Sequence, residues 1–209
     1  CLALCTSGFM WGFLGLLTFI GLFLSLWVCL SSILELHSSF QSNAPIFKRN
    51  RRSLTINFRL MGRTCAHFGF GLLIFGVTAV TSWETEDIRN VEVGESFYLK
   101  SYQIVFKGID YSVEKNFKRV SGSFEVMRNN KSIGILSPEK RLYPSRNEVT
   151  TEASIRPTVF NDFYMVLGNK LDENAWVVRT YIKPFISFIW IGVILISLGA
   201  GVSLLSFTT

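Results

Sequence analysis

Three apolar runs of helix length, spread along a chain of 209 residues, limit this sequence to a small set of folds. Gly8 to Leu34 contains no charged residue, Met61 to Ser82 contains only Arg63 and His67 as readily ionisable groups short of a thiol, and Phe185 to Phe207 is again uncharged. Each run reaches the roughly 20 residues that a helix needs to cross the hydrocarbon core of a bilayer. The composition agrees, with 49% hydrophobic and 14% aromatic residues and a positive mean hydropathy. A chain of this kind is partly dissolved in lipid.

The expected organisation is a transmembrane helix over 1–34, a basic loop over 35–59, a second transmembrane helix over 60–83, a polar domain over 84–184 and a third helix with a short tail over 185–209. The first run is too long for a secretory signal and lacks the basic leader and small-residue cleavage site of one. The chain begins at Cys1, which reads as a fragment, a processed product or a trimmed chain. Lys48, Arg49, Arg51, Arg52, Arg59 and Arg63 stand in or beside the loop against the single acid Glu35. The positive-inside rule therefore puts that loop in the cytoplasm or matrix and residues 84–184 on the opposite, exported side. That segment holds the other 15 basic residues and 14 acids, so the net charge of +6 is a topology signal. Nucleic-acid binding, which needs a basic surface on the folded domain, is not expected.

The exported segment reads as strands. Asp87 to Val113 is rich in Val, Ile, Phe and Tyr with partial alternation. Phe124–Arg128, Asn129-Asn130 and Lys131–Ile135 form a hairpin pattern, because Asn tolerates the positive φ angles of a tight turn. Further strands are expected at Phe163–Leu167 and Ala175–Tyr181. The economical fold is three transmembrane α-helices with a small antiparallel β domain, a barrel or sandwich, inserted between helices 2 and 3. Cys1, Cys5, Cys29 and Cys65 all lie outside the β domain and form no CxxC pair. Redox and zinc chemistry are unsupported, and Cys29 and Cys65 read as small apolar fillers. There is no P-loop, dinucleotide fingerprint or nucleophile elbow.

The second helix carries the most chemistry. Gly62, Gly69 and Gly76 recur every seven residues beside Ala66, a stripe that lets another helix approach closely in lipid. His67 lies on a different face, in line with Arg63, Thr64, Gly71 and Thr78. An ionisable residue within the membrane is a functional hypothesis in its own right. A structural hydrogen bond, a haem ligand through Nε2 and a proton-transfer group are all compatible with it. Gly71 would leave room beside a flat macrocycle, and Arg63 could offer its guanidinium to a propionate. His37, beyond the first run on the basic side, reads as a solvated loop residue. The charged run Pro138-Glu139-Lys140-Arg141 with Tyr143 reads as a solvated turn with a local ion pair.

Leu136-Ser137-Pro138-Glu139-Lys140-Arg141-Leu142-Tyr143-Pro144, Thr150-Thr151-Glu152-Ala153, Asp162 to Gly168, Trp176 to Pro184 and Trp190-Ile191-Gly192, with Gly62-Arg63-Thr64-Cys65-Ala66-His67-Phe68-Gly69 before them, occur in an order that resembles the C-terminal part of the cytochrome c maturation haem lyases of the CcmF/NrfE type. That resemblance implies a share in joining haem to the Cys-x-x-Cys-His motif of apocytochrome c through two thioether bonds. It also implies that His67 is one axial ligand, at the iron, of a buried b-type haem, with a second partner holding its other ring nitrogen. The implied partners are the remaining N-terminal part of the lyase, a haem chaperone, a thiol-handling maturation subunit, apocytochrome c and the lipid bilayer.

The implied location is the bacterial inner membrane with the β domain in the periplasm, or the mitochondrial inner membrane with that domain in the intermembrane space. The family's tryptophan-rich segment and its flanking histidines have no counterpart here. The five tryptophans are scattered, with Trp83 and Trp190 placed as interfacial anchors. The chain is therefore expected to be a split subunit or fragment, inactive alone and without a catalytic residue of its own. The alternative from another class is a non-catalytic membrane scaffold whose β domain binds a protein partner. A proton-coupled transporter would want further intramembrane acids, and the runs contain none.

Overall fold

A computed structural model describes residues 2–41, 47–50, 53–56, 58–172 and 174–205, with side chains described over 14–39, 58–172 and 174–204. Helix α1 spans Leu2–Gln41, strands β1 and β2 span Phe47–Asn50 and Ser53–Ile56, and helix α2 spans Phe58–Trp83. Strands β3 to β12 follow at Thr85–Glu92, Ser96–Leu99, Tyr102–Val113, Lys118–Arg128, Lys131–Leu136, Glu139–Tyr143, Glu148–Glu152, Ser154–Arg156, Asn161–Lys170 and Ala175–Pro184. Helix α3, Ile186–Leu205, closes the order. Leu14–Ser39, Phe58–Trp83 and Ile186–Leu204 are each long and apolar enough to cross a membrane. The basic loop contains the antiparallel pair β1–β2. The chain divides into a helical unit, Cys1–Trp83 with Pro184–Thr209, and a β unit, Glu84–Lys183.

Within the β unit two antiparallel sheets form a sandwich, which settles the choice between barrel and sandwich. One sheet has the order β10-β11-β12-β3, and the other has the order β4-β5-β6-β8-β9 with β7 also paired to β6. Alternation along β11 and β12 sends Phe163, Met165, Leu167, Trp176, Val178 and Ile182 inward. They meet Phe97, Ile104, Phe106, Phe124, Val126 and Leu136 from the other sheet. Phe106 and Phe124 face each other across β5 and β6 and stack at 4.3 Å, and the Tyr102 ring meets Phe163 edge-on at 4.5 Å. Such burial is the main source of stability in a domain without cysteines.

The β6–β7 hairpin forms as its sequence predicts. Asn129 and Asn130 both take positive φ, 50° and 59°, the backbone of a type I′ turn. Asn130→Gly should therefore be neutral or stabilising by up to about 0.5 kcal/mol, and Asn130→Val should cost about 1–2 kcal/mol, because a β-branched residue resists positive φ. Denaturant midpoints of the two variants check this.

Pro138–Tyr143 corrects the sequence reading. Glu139–Tyr143 is a strand, held between β6 and β9, and not a turn. The local ion pair is present and is shared: the Glu139 side chain, only 16% exposed, accepts from Arg141 at 2.9 Å and from Arg119 at 3.3 Å. Arg141 also lies over the Phe117 ring at 5.0 Å. Cross-strand pairing of opposite charges lets a charged run occupy a strand.

Two carboxylates carry an acid-sensitive contribution. Hydrogen bonding from Lys107, then from Ser132, holds Glu125 below the usual carboxylate range, and Arg179 does the same to Glu86. A depressed folded-state pKa stabilises above the unfolded value and loses that stabilisation as pH falls through the folded value. The melting temperature of the β unit should hold between about pH 7 and 5 and fall below about pH 4. Glu125→Gln should flatten that acid limb in a pH series of melting curves.

Candidate functional site

Two faces of helix α2 pack against neighbouring helices, and a third is exposed. The first meets α3. A Cβ at Gly62 would lie 2.6 Å from the Gly199 carbonyl oxygen, and one at Gly69 would lie 2.8 Å from that of Gly192. Gly192 and Gly199 are spaced by seven like their partners, and a Cβ on either would strike the α2 backbone, at Gly69 O (2.6 Å) and Gly62 O (2.5 Å). Gly76 is crowded in the same way by Ile189, with a backbone nitrogen at 2.8 Å. The glycine stripe is thus a helix-packing seam, as its spacing implies.

The second face meets α1, and here the sequence reading needs correcting. Thr64, Gly71 and Thr78 form their own seven-residue seam against α1 and do not line the side of His67. Gly71 leaves space that the Cys29 sulfur fills, and its carbonyl accepts from the buried Ser25 hydroxyl at 2.9 Å. Gly21 leaves space for the Thr78 side chain, and the Thr18 and Ser82 hydroxyls meet at 2.8 Å. Three residues of helix turn through about 300°, so Thr64 stands about 60° round from His67. That offset suffices to put one under α1 and leave the other outside. Gly71 accordingly makes room for α1 and not for a macrocycle. Cys29 and Cys65 act as fillers, the latter with its thiol 3.4 Å from the Leu195 carbonyl.

The third face carries Arg63, His67, Phe70 and Val77, all exposed, at helical spacings of four, three and seven. The described parts of α1 and α3 leave these four side chains exposed. On this face the His67 Nδ1 sits 2.8 Å from the Arg63 carbonyl oxygen one turn earlier. A carbonyl only accepts, so Nδ1 carries the proton, and the neutral imidazole keeps the Nε2 lone pair as its free donor to a metal. A backbone bond to the far nitrogen is how proteins fix a ligating imidazole in one tautomer and orientation. Arg63 forms an ion pair with Glu35 of α1, which ties the basic end of α2 to its neighbour.

His37 falls within α1 and not in a loop, two residues beyond Glu35, and is exposed. Among the described residues no three His, Cys, Asp or Glu side chains converge as a metal cluster. The arrangement could offer one imidazole, through Nε2, to a group bound on the face that also carries Phe70 and Val77. The sequence signal for the uncovered face was present in the spacing of Arg63, His67, Phe70 and Val77. It is visible only once the two glycine-bearing seams are subtracted.

Residues 82–184 match a family model described as the CcmF C-terminal beta-sandwich. The chain is 37% identical over 169 residues to the cytochrome c-type biogenesis protein ccl1 of Rhodobacter capsulatus, covering 79% of this chain and 26% of that protein. It is 32% identical over 176 residues to the cytochrome c-type biogenesis protein CcmF of Pseudomonas fluorescens, covering 84% of this chain and 26% of that one. A solved structure described as cytochrome c heme lyase CcmF shares the fold with a TM-score of 0.63 at 16% identity, over 90% of this chain and 34% of that one. The chain spans about a quarter of the length of the curated relatives it matches.

Proposed function

Because the chain belongs to the CcmF family of cytochrome c-type biogenesis proteins and corresponds to their C-terminal part, we propose that it is the C-terminal portion of a membrane cytochrome c haem lyase and that His67 gives one axial ligand to a buried b-type haem. The observation that carries this reading is the His67 ring itself, with Nδ1 satisfied by the Arg63 carbonyl at 2.8 Å and Nε2 left for iron on a face that the described parts of α1 and α3 leave exposed. A haem held by His67 and a second ligand would supply a one-electron redox centre suited to electron transfer.

This chain's residues do the rest. Phe70 and Val77 continue the face inward from His67 and exclude water from one side of the pocket. Arg63 stands a turn nearer the basic end, where its guanidinium, beyond the bond to Glu35, has further N–H groups for a propionate. A second ligand would come from the remaining N-terminal part of the lyase, which would also complete the pocket. The assembled enzyme forms the thioether bonds on apocytochrome c, receives haem from a chaperone and works beside a thiol-handling subunit; this chain alone is inactive. The basic loop supports a β domain on the outside, in the periplasm of a bacterium or, alternatively, the intermembrane space of a mitochondrion.

The test is covalent haem attachment in cells that depend on this chain. His67→Ala should accumulate normally in the membrane and yet depress haem-stained c-type cytochromes, with partial recovery when a reductant is supplied. Cytochromes at wild-type levels in that variant would instead favour a non-catalytic scaffold.

A further inference from the structure

The last strand of a sheet carries backbone N–H and C=O groups without a ladder partner, and folded proteins keep such edges short or interrupt them. Three of the strands that end a sheet order in the β unit are short: β10 has three residues, β4 has four and β9 has five. Strand β3 differs, with eight residues at the end of the order β10-β11-β12-β3. It carries no proline and no lysine, and its register with β12 runs without a bulge from Glu92 against Ala175 to Thr85 against Ile182. The two charges on its core side, Asp87 and Arg89, pair with each other. A short strand, a proline or a bulge would blunt this edge, and β3 has none of them.

Hydrogen-bond parity shows what the edge presents. Val93 N–H donates to the Asn174 carbonyl at 3.2 Å, so the odd-numbered residues of β3 turn their main-chain groups toward β12. Those of Glu86, Ile88 and Asn90 therefore point away from the sheet, about 7 Å apart along the strand, and no bond among the described residues uses them. Glu92 N–H, next in the same row, is taken by the Glu95 carboxylate at 3.0 Å. All three residues are exposed, Ile88 by 56%. Ion pairs occupy Glu84, Glu86 and Asp87 but leave Glu92 and Glu95 without a cationic partner among the described residues, so the far end of the edge is acidic.

We propose that β3 is the docking edge for an extended segment of the unfolded polypeptide on which the lyase acts, added to the sheet as a further strand beside Glu86, Ile88 and Asn90 with a basic residue set against Glu92 and Glu95. The choice of occupant rests on the lyase reading above. An unfolded chain brings the same unpaired N–H and C=O groups that the edge presents, and main-chain pairing accepts substrates that share little sequence. Ile88 adds one apolar contact on the outer face of the sheet.

The test is peptide binding to the purified lyase complex that contains the full 209-residue chain. The probe is a short fluorescent peptide carrying Cys-x-x-Cys-His with flanking lysines, and its controls are the same peptide N-methylated at alternate amides, made in both phases. In the chain, Ile88→Pro removes an N–H that points away from β12, so the β3–β12 ladder and the melting temperature should be kept. The wild type should bind the peptide and slow amide exchange at Ile88 and Asn90. N-methylation in the phase that faces β3, and Ile88→Pro, should each weaken binding about ten-fold, the loss of one or two hydrogen bonds. Equal affinity in every arm, or no binding by a complex that holds its haem, would overturn the proposal and leave the lyase reading in place. Binding that needs the unmethylated amides, in a complex that never holds haem, would keep the added strand and remove the lyase reading. A complex whose mass doubles through this edge, and reverts in Ile88→Pro, would overturn the proposal by making the occupant a second copy.

Discussion

Gly69→Leu is expected to separate α2 from α3. A Cβ at this position would stand 2.7 Å from the Leu195 Cβ, 2.8 Å from the Gly192 carbonyl oxygen and 2.9 Å from the Ile196 nitrogen. Two of these three obstacles are backbone atoms, so no rotamer change relieves the clash and the helices themselves must move. Even Gly69→Ala should cost about 1–3 kcal/mol, the usual range for overpacking. The leucine should abolish the pairing, because Gly62 and Gly76 on the same seam would be pulled out of contact with it. Gly15, whose Cβ would meet nothing within 4 Å, is the matched control. Gly15→Ala should be neutral or slightly stabilising through helix propensity. Thermal melts and limited proteolysis in detergent read both outcomes.

His67→Ala is the second large effect, and it falls on haem and not on the fold. The side chain is exposed, and its Nδ1 bonds a carbonyl of its own helix. Its removal should leave the melting temperature of the chain nearly unchanged. The lyase complex purified with the variant should, by contrast, lose nearly all of its b-type haem. Arg63→Ala separates the two roles of that residue. The Nδ1 partner is the Arg63 backbone carbonyl, which survives the substitution, so the tautomer is kept. The ion pair to Glu35 is lost, and with it the proposed propionate contact; on that proposal haem affinity should fall by roughly ten-fold. Haem content per complex and haem titration measure the contrast.

Much of this was legible in the sequence because the signals were redundant. The three spans announce themselves by the absence of charge. The β6–β7 hairpin is marked by alternation on both sides of Asn129-Asn130, and the α2–α3 seam by a strict seven-residue glycine repeat. The β8 strand was not legible, since Glu139, Lys140 and Arg141 after a proline look like a turn until Arg119 on β6 arrives to share the Glu139 carboxylate. That contact is tertiary. The position of Gly71 failed for a related reason: a glycine near a histidine has more than one use, and its assignment to α1 depends on Cys29 and Ser25, more than 40 positions away in the chain. The short β1–β2 pair within the basic loop carried no periodic signal long enough to read.

The central claim is that His67 ligates haem iron through Nε2, and a cavity variant tests it most directly. Optical and electron paramagnetic resonance spectra would be recorded for the purified lyase complex containing either the wild-type chain or His67→Gly, with and without added imidazole. The account predicts a low-spin bis-imidazole spectrum in the wild type, its loss in His67→Gly and its return when free imidazole takes the vacated position. A spectrum that persists unchanged in His67→Gly, or a wild-type complex that carries no haem, would contradict it.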